Sequence, residues 1–166
     1  KSNELIAYTY GKNFDFESIG LRFFTVYGEL GRPDMSYFKF LNRYYSNQKI
    51  RIYNHGNMLR DFTYINDIVN GINKVLFLNP KKNKDFSRVY NLGSGSPVSL
   101  MDFIELLEKV SNITFKKEYV DFQKGDVKST HAEITSFKQD YPSYKIKTKL
   151  EDGLNFFNNW YKTYNS

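Results

Sequence analysis

Residues 19–27 read IGLRFFTVY and stop at Gly28. The run is almost continuously apolar and rich in β-branched and aromatic side chains, which fits a strand buried on both faces, as in a parallel sheet. Upstream, Glu4, Leu5, Tyr8 and Lys12 follow helical spacing across residues 1–12, and Gly11 with Asn13 supplies a stop. No capping residue or initiator Met opens that helix, which predicts that the chain is cut inside it. Downstream, Gly28 to Pro33 reads as a loop opening onto a helix with Met35, Phe38, Leu41 and Tyr45 on its apolar face.

The alternation continues to the end of the chain. Ile50–Tyr53 reads as a strand, Asn54-His55-Gly56-Asn57 as a turn, and Phe62–Tyr64 as an extended segment. The clearest helix follows, with Ile65, Ile68, Val69, Ile72, Val75 and Leu76 on one face and Asn79-Pro80 as its end. Residues 81–87 form a polar connection, Val89–Leu92 a strand, and Gly93-Ser94-Gly95-Ser96-Pro97 a loop. Ser99 reads as an N-cap with Asp102 three residues on, ahead of Phe103, Ile104, Leu106, Leu107 and Val110. Phe115–Val120 is a strand and Gln123–Thr130 a polar loop. A last helix starts at Leu150–Asp152, acidic in its first turn, and is expected to bury Leu154, Phe157, Trp160, Tyr161 and Tyr164. No internal repeat or linker divides the chain, and the fold class is α/β, mixed α+β rather than strictly alternating.

A length of 166 residues suits one domain, and 14 Tyr with 15 Phe supply too much large apolar surface for a disordered chain. No apolar run approaches the ~18 residues of a membrane span, and no leader opens the chain. Without cysteine there is no disulfide, thiol nucleophile or thiolate metal site. His55 and His131 are too few and too far apart for a histidine metal cluster, so no metal is expected. The net charge is +6, but Lys81-Lys82 with Lys84, Lys116-Lys117, and Lys145, Lys147 and Lys149 are scattered. That pattern reads as solvated faces, and a small anionic ligand uses the excess better than nucleic acid does. The expectation is a soluble cytoplasmic chain with no nucleic-acid or membrane partner.

Candidate chemistry is sparse. Gly93-Ser94-Gly95 follows a strand and precedes a helix, as a dinucleotide-binding loop does, but the third glycine would fall at Val98. A turn with a helix cap explains it. The spacing of Asp61, Asp67 and Asp126 fixes no acid–base pair, and Asp67 in a first helical turn is explained by the helix dipole. Arg60, between Leu59 and Asp61-Phe62, either pairs a carboxylate or grips an anionic ligand, and Arg32 in its Gly-flanked loop carries the same ambiguity. His55 and His131 read as surface residues.

Four segments together, GLRFFTVYGELGRPDM (20–35), RIYNHGNMLRDFTYINDIV (51–69), YNLGSGSPVSLMDFIELLE (90–108) and QKGDV (123–127), resemble one family. It is the C-terminal half of the NAD-dependent nucleotide-sugar epimerase/dehydratases, which are extended Rossmann-type short-chain dehydrogenase/reductases. UDP-glucuronate (UDP-galacturonate) 4-epimerases are the nearest in pattern, through FFTVYG…GRPDM and MLRDFTYINDIV. The likeness runs from Asn3-Glu4 to the Trp160-Tyr161 helix.

The resemblance implies that residues 1–28 are the last helix and strand of an NAD-binding domain and residues 29–166 the UDP-sugar-binding part. Glu4 falls where a glutamate commonly follows the family's Tyr-x-x-x-Lys. That puts the catalytic tyrosine and lysine, the Ser/Thr and the glycine-rich NAD loop upstream, and no catalytic residue in this chain. Lys1 is not the catalytic lysine. Phe23, Phe24 and Val26 would pass the nicotinamide, Thr25 would hydrogen-bond the sugar and Arg32 would lie over its carboxylate. Tyr53 would contact uracil, Arg60 the diphosphate and Asp126 the ribose hydroxyls. A homodimer is implied for the full-length protein. The chain alone is expected to lack epimerase activity and stable NAD binding, and to need the missing N-terminal half as its partner. Two departures stand out: Glu29-Leu30 replaces a frequent Pro-Trp, and Gln123 replaces a second phosphate-binding arginine of the UDP-galactose enzymes.

Overall fold

The computed structural model describes residues 1–78 and 87–164. In chain order the elements are α1 (Ser2–Phe14), β1 (Ser18–Phe23), β2 (Thr25–Tyr27), α2 (Ser36–Tyr45), β3 (Ile50–Tyr53), a 3-10 turn (Asn54–Gly56), β4 (Leu59–Arg60) and β5 (Phe62–Tyr64). They continue with α3 (Ile65–Phe77), β6 (Ser87–Leu92), β7 (Val98–Ser99), α4 (Leu100–Ser111), β8 (Lys117–Val120), α5 (Thr135–Asp140) and α6 (Leu150–Tyr164). The helix stop at Asn79-Pro80, most of the 81–87 connection and the lysines at 81, 82 and 84 lie outside the described residues.

The IGLRFFTVY run is extended, as expected, but breaks at Phe24 into two strands with different partners. β1 pairs parallel with β6, Ser18 opposite Ser87 and Phe23 opposite Leu92, while β2 pairs parallel with β5. The burial expectation fails for β1, which is half-buried, with Phe23 50% exposed. Among the described residues β6 is its one neighbour, and its two faces differ. Ile19 and Leu21 pack toward Ile68, Ile72, Tyr90 and Leu92. Arg22 instead carries charge, and Glu4 of α1 holds its guanidinium with two 2.7 Å hydrogen bonds.

Other boundaries shift for identifiable reasons. α1 passes through Gly11 and Asn13 and ends where Asp15 turns left-handed (φ 54°, ψ 46°), doing the job expected of the earlier glycine. On α2, Tyr37 and Phe40 join Phe38 and Leu41 inside, whereas Tyr45 lies outside in the last turn. Tyr164, expected inside, is exposed near the end of α6, beyond the helices that cover Phe157 and Tyr161. The Ser99 cap forms as read, its hydroxyl accepting from Asp102 N–H at 3.0 Å. Asp67 does more than oppose a dipole: it is buried, and its two oxygens accept from the backbone N–H groups of Lys147 and Thr148, both at 3.1 Å. It thereby ties the approach to α6 onto α3.

Two clusters form the core. In one, α2, α4 and α6 enclose β3 and β5, with Phe62 stacked on Phe103 (ring centres 4.0 Å apart) and Phe157 edge-on to Tyr37 (4.8 Å). In the other, α3 and α5 pack against β1 and β6 through Ile68, Tyr90, Phe137 and Tyr144. Buried ring pairs of this kind add roughly 0.5–1.5 kcal/mol each beyond the area they bury. They fix the strand ends between the clusters, where the clefts open.

Candidate functional site

Two clefts adjoin along the loop between β2 and α2, and Met35 lines both. The first, about 340 Å³, receives Thr25 from β2, Tyr53 from β3, Arg60 from β4 and Asp126 from the 121–134 segment. The second, about 430 Å³, is lined by Phe23, Phe24, Val26 and the loop from Gly28 to Arg32. The residues singled out in the sequence therefore gather in two groups. Phe23, Phe24 and Val26 stand together, as do Thr25, Tyr53, Arg60 and Asp126, while Arg32 lies with the former group.

Arg60 is only 16% exposed along its side chain and makes three contacts. Nη1 donates to the carbonyls of Leu59 (2.9 Å) and Lys128 (3.2 Å), and Nη2 donates to Asp126 Oδ1 at 2.8 Å. Both sequence options are thus present in one residue: a carboxylate partner, and a place on a cleft wall. Asp126 is 36% exposed and meets Arg60 through a single oxygen, so a better anion can displace it. Thr25 is held by its backbone, whose N–H donates to the carbonyl of Asp61 at 3.0 Å, and its hydroxyl has no partner among the described residues. Arg32 is largely solvated, with Asp34 Oδ1 at 3.3 Å from Nε and Met35 Sδ at 3.5 Å from Nη2.

Sequence reading missed three cations of the first cleft. Lys39 and Arg43 stand one turn apart on α2, and Arg51 alternates with buried Ile50 and Ile52 on β3. Arg43 donates to the carbonyl of Lys49 (2.8 Å) and Arg51 pairs Glu118 (3.3 Å). Their i,i+4 and alternating spacing was the available signal, but it is equally the signature of a solvated face.

Asp61 is fully buried and organises the Gly-rich loop. Its oxygens accept from Ser94 N–H (2.9 Å), the Ser94 hydroxyl (2.8 Å), Gly95 N–H (3.0 Å) and Ala132 N–H (2.9 Å). A Cβ at Gly93 would sit 2.5 Å from the Ala132 methyl, so glycine permits this closeness. The backbone N–H groups that resembled a phosphate loop already hold an internal anion.

Two buried tyrosines, Tyr27 and Tyr64, close the paired strands β2 and β5, and Tyr27 lines the second cleft. Tyr64 donates to the Glu29 carboxylate, and burial, then that neighbouring carboxylate, raise its pKa well above the ordinary phenol value. Burial likewise raises Tyr27. Among the described residues no cluster of three or more His, Asp or Glu side chains could hold a metal, and no helix is long and apolar enough to cross a membrane.

Comparison with known proteins gives this geometry a context. "Protein CapI" of Staphylococcus aureus is 43% identical over 99% of this chain and 53% of its own length. "UDP-glucuronate 4-epimerase 2" of Arabidopsis thaliana is 40% identical over 99% of this chain and 40% of its own. The crystal structure of UDP-glucuronic acid 4-epimerase from Bacillus cereus, in complex with UDP-glucuronic acid and NAD, superposes with a TM-score of 0.88 at 32% identity. That match covers 98% of this chain and 51% of the crystallised one. The chain spans about half the length of the relatives it matches. The mixed α/β fold read from the sequence, that of the C-terminal part of an extended Rossmann-type enzyme, agrees with this superposition. A family model described as "NAD dependent epimerase/dehydratase family" matches residues 2–93, more than half of the chain, and the chain belongs to that family.

Proposed function

We propose that this chain is the substrate-binding half of an NAD-dependent UDP-glucuronate 4-epimerase, with residues 1–28 completing the cofactor domain and residues 29–166 holding the UDP-sugar. The observation that carries the reading is the convergence of Thr25, Tyr53, Arg60 and Asp126 on one cleft beside the Phe23, Phe24 and Val26 cleft. The relatives named UDP-glucuronate 4-epimerase, and the solved relative's UDP-glucuronic acid and NAD, support the same choice of substrate.

The first cleft suits a nucleoside diphosphate. A diphosphate entering beside Arg60 takes its fork in place of Asp126, because two charge-assisted hydrogen bonds to an ionised phosphate outweigh one to a half-exposed carboxylate. Asp126 is then free to accept from ribose hydroxyls. Tyr53 offers a ring to the uracil, and the unpartnered Thr25 hydroxyl points the sugar's polar edge toward the junction of the clefts. Arg32 holds the uronate carboxylate. Keeping that group ionised and fixed discourages loss of CO₂ from a 4-keto sugar.

The second cleft fits one end of NAD. Phe23, Phe24 and Val26 present an apolar strip with Phe23 exposed at its mouth, suited to a flat heteroaromatic ring, and about 430 Å³ takes the nicotinamide end but not a dinucleotide. Bound there, NAD would supply a reversible hydride acceptor for sugar C4. Among the described residues lining that cleft, none is suited to take the 4-OH proton. That task falls to residues outside this chain, as does the pyrophosphate, since the 93–95 loop is filled by Asp61. A cytoplasmic homodimer working in polysaccharide-precursor synthesis completes the reading. The exposed Leu5, Ile6 and Phe14 on α1 support cover by further polypeptide.

The test is to incubate the full-length protein with UDP-glucuronate. UDP-galacturonate is the expected product. UDP-xylose would instead identify a decarboxylase, and UDP binding without turnover would leave a binding module.

A further inference from the structure

The loop between β2 and α2 makes a contact that the substrate reading does not use. Both carboxylate oxygens of half-buried Glu29 lie within hydrogen-bond reach of the Tyr64 hydroxyl, at 2.9 and 2.7 Å. No cation pairs with Glu29 among the described residues. A partly dehydrated carboxylate held by one phenol is a poor stabilising device, since its lost hydration is only partly returned. Tyr64 itself is rigid: it is 4% exposed, closes β5 and stands in register with Tyr27. Because its ionisation is pushed upward, it remains a donor throughout the neutral range.

The loop around Glu29 is costly to hold. Gly28 has φ +144°, and a Cβ there would come within 2.6 Å of Ile65 Cγ2. Leu30 is left-handed (φ 56°) and 84% exposed, so about 1 kcal/mol of backbone strain gains no burial in return. Arg32 follows two residues later and lines the same cleft as Glu29. Its own contacts, Asp34 and Met35, belong to the same loop and cannot anchor it to the sheet. From Gly28 to Arg32, Glu29 makes the one side-chain hydrogen bond to the sheet among the described residues.

We infer that Glu29 is a positioning residue: latched onto Tyr64, it holds the strained 28–32 loop so that Arg32 meets the carboxylate of the sugar, and it thereby makes the site selective for uronic over neutral UDP-sugars. The inference rests on the proposed assignment of Arg32 to that carboxylate. Glu29 acts through the loop, by its contact with Tyr64.

The test uses the full-length protein with three variants. Tyr64→Phe keeps the ring and removes the donor. Glu29→Ala removes the acceptor. Glu29→Gln keeps a carbonyl oxygen that can accept from Tyr64. Tyr64→Phe and Glu29→Ala should each raise KM for UDP-glucuronate about tenfold, ~1.4 kcal/mol, and leave Kd for UDP, which has no carboxylate, within about twofold. Glu29→Gln should stay near the parent, and the double variant should be no worse than either single one, as expected for one shared contact. Parallel weakening of UDP and UDP-glucuronate would mean that the contact supports the whole cleft, and would overturn the inference. Unchanged KM in both variants would overturn it too. Arg32→Ala separates the two levels. If it leaves the preference for UDP-glucuronate over UDP-glucose intact, the Arg32 assignment fails. If it abolishes that preference while Tyr64→Phe and Glu29→Ala do not, only the latch fails.

Discussion

Arg60 and Asp61 are neighbours in sequence and lie on opposite sides of one strand end, and each is held by partners of a different kind. Asp61 faces inward and spends its oxygens on backbone N–H groups from two distant segments. Arg60 faces the cleft and leans on one half-exposed carboxylate and two carbonyls. Backbone donors cannot leave without unfolding a loop, whereas a side-chain carboxylate needs only a rotamer change. The first arrangement is structural and closed, and the second can exchange its partner for a ligand. The difference also explains why the Gly-Ser-Gly loop is no cofactor site even though it looks like the beginning of one.

The contrast can be broken most forcefully at Asp61. Asp61→Ala would strand buried N–H groups of Ser94, Gly95 and Ala132, and we expect a loss of about 3–5 kcal/mol in unfolding free energy, read as a lower urea midpoint at constant m. Asp61→Asn should recover little, because the new NH₂ would face N–H donors. A stability within 1 kcal/mol of the parent would refute the closed arrangement.

Arg60 should behave in reverse. Arg60→Ala is expected to weaken UDP binding to the full-length protein by about 2–5 kcal/mol in titration calorimetry. Its stability should change by under ~1 kcal/mol, because the Asp126 it leaves behind can hydrate. Arg60→Lys should fall between, keeping charge without the fork. Thr25→Val should spare UDP affinity and lower turnover of the uronic sugar. UDP binding by Arg60→Ala within about twofold of the parent would return Arg60 to a purely structural pairing.

A smaller effect, with the sign of a closed core, is expected at high pH. Burial raises the hydroxyl pKa values of Tyr27, Tyr64 and Tyr144, and pushes Tyr90 up to about 12, with Asp140 adding to the rise at Tyr90. An acid whose folded pKa exceeds its unfolded one favours the fold only while it stays protonated. Their contribution is therefore complete below pH 10, the ordinary phenol value, and is lost as pH rises above it, Tyr90's through about pH 12. Phenolate absorbance and far-UV circular dichroism should move together in that window. Phenolates appearing before any loss of helix would show these rings to be wetter than the fold makes them.

The smallest effect lies at Glu4. The Arg22 guanidinium holds its carboxyl below the usual carboxylate range, and a depressed folded pKa gives stability present above the unfolded value of 4.5 and lost as pH falls below it. The pair is exposed, so moderate salt should erase the acid-side difference between parent and Glu4→Gln.

What the sequence disclosed depended on how local the cause was. The Ser99 cap and the β3 strand were legible because their partners lie within a few residues or follow one period. The apolar face of α3 was legible only in part, since Ile68, Ile72 and Val75 pack inside while Val69 and Leu76 are exposed. The parallel character of IGLRFFTVY was legible from composition, but its division at Phe24 was not, since the two halves answer to strands that come 37 and 69 positions later. Asp61 and Asp67 could not be read because their partners are backbone N–H groups, which every residue but proline carries. The residues that the family resemblance named do line the two clefts, Thr25, Tyr53, Arg60 and Asp126 in one and Phe23, Phe24, Val26 and Arg32 in the other. Lys39, Arg43 and Arg51 escaped because only assembly turns a polar face toward a cavity.

The long parallel pairings described above have a consequence for how the chain is made. Ser18 must wait for Ser87, and Ile50 for Lys117, before either finds its neighbour. At ribosomal speeds of about 5–20 residues per second, roughly 70 residues of delay leave the IGLRFFTVY segment without its partner strand for several seconds. Non-local pairing also slows closure once all segments exist, because loop entropy is lost before contacts compensate. During that interval the segment is a short aromatic stretch with open backbone donors and acceptors, with Arg22 inside it and Glu17 and Glu29 just beyond its two ends. Arg22, which later meets Glu4, and the two flanking glutamates are the charges that stand between the nascent strand and premature pairing with another copy of itself.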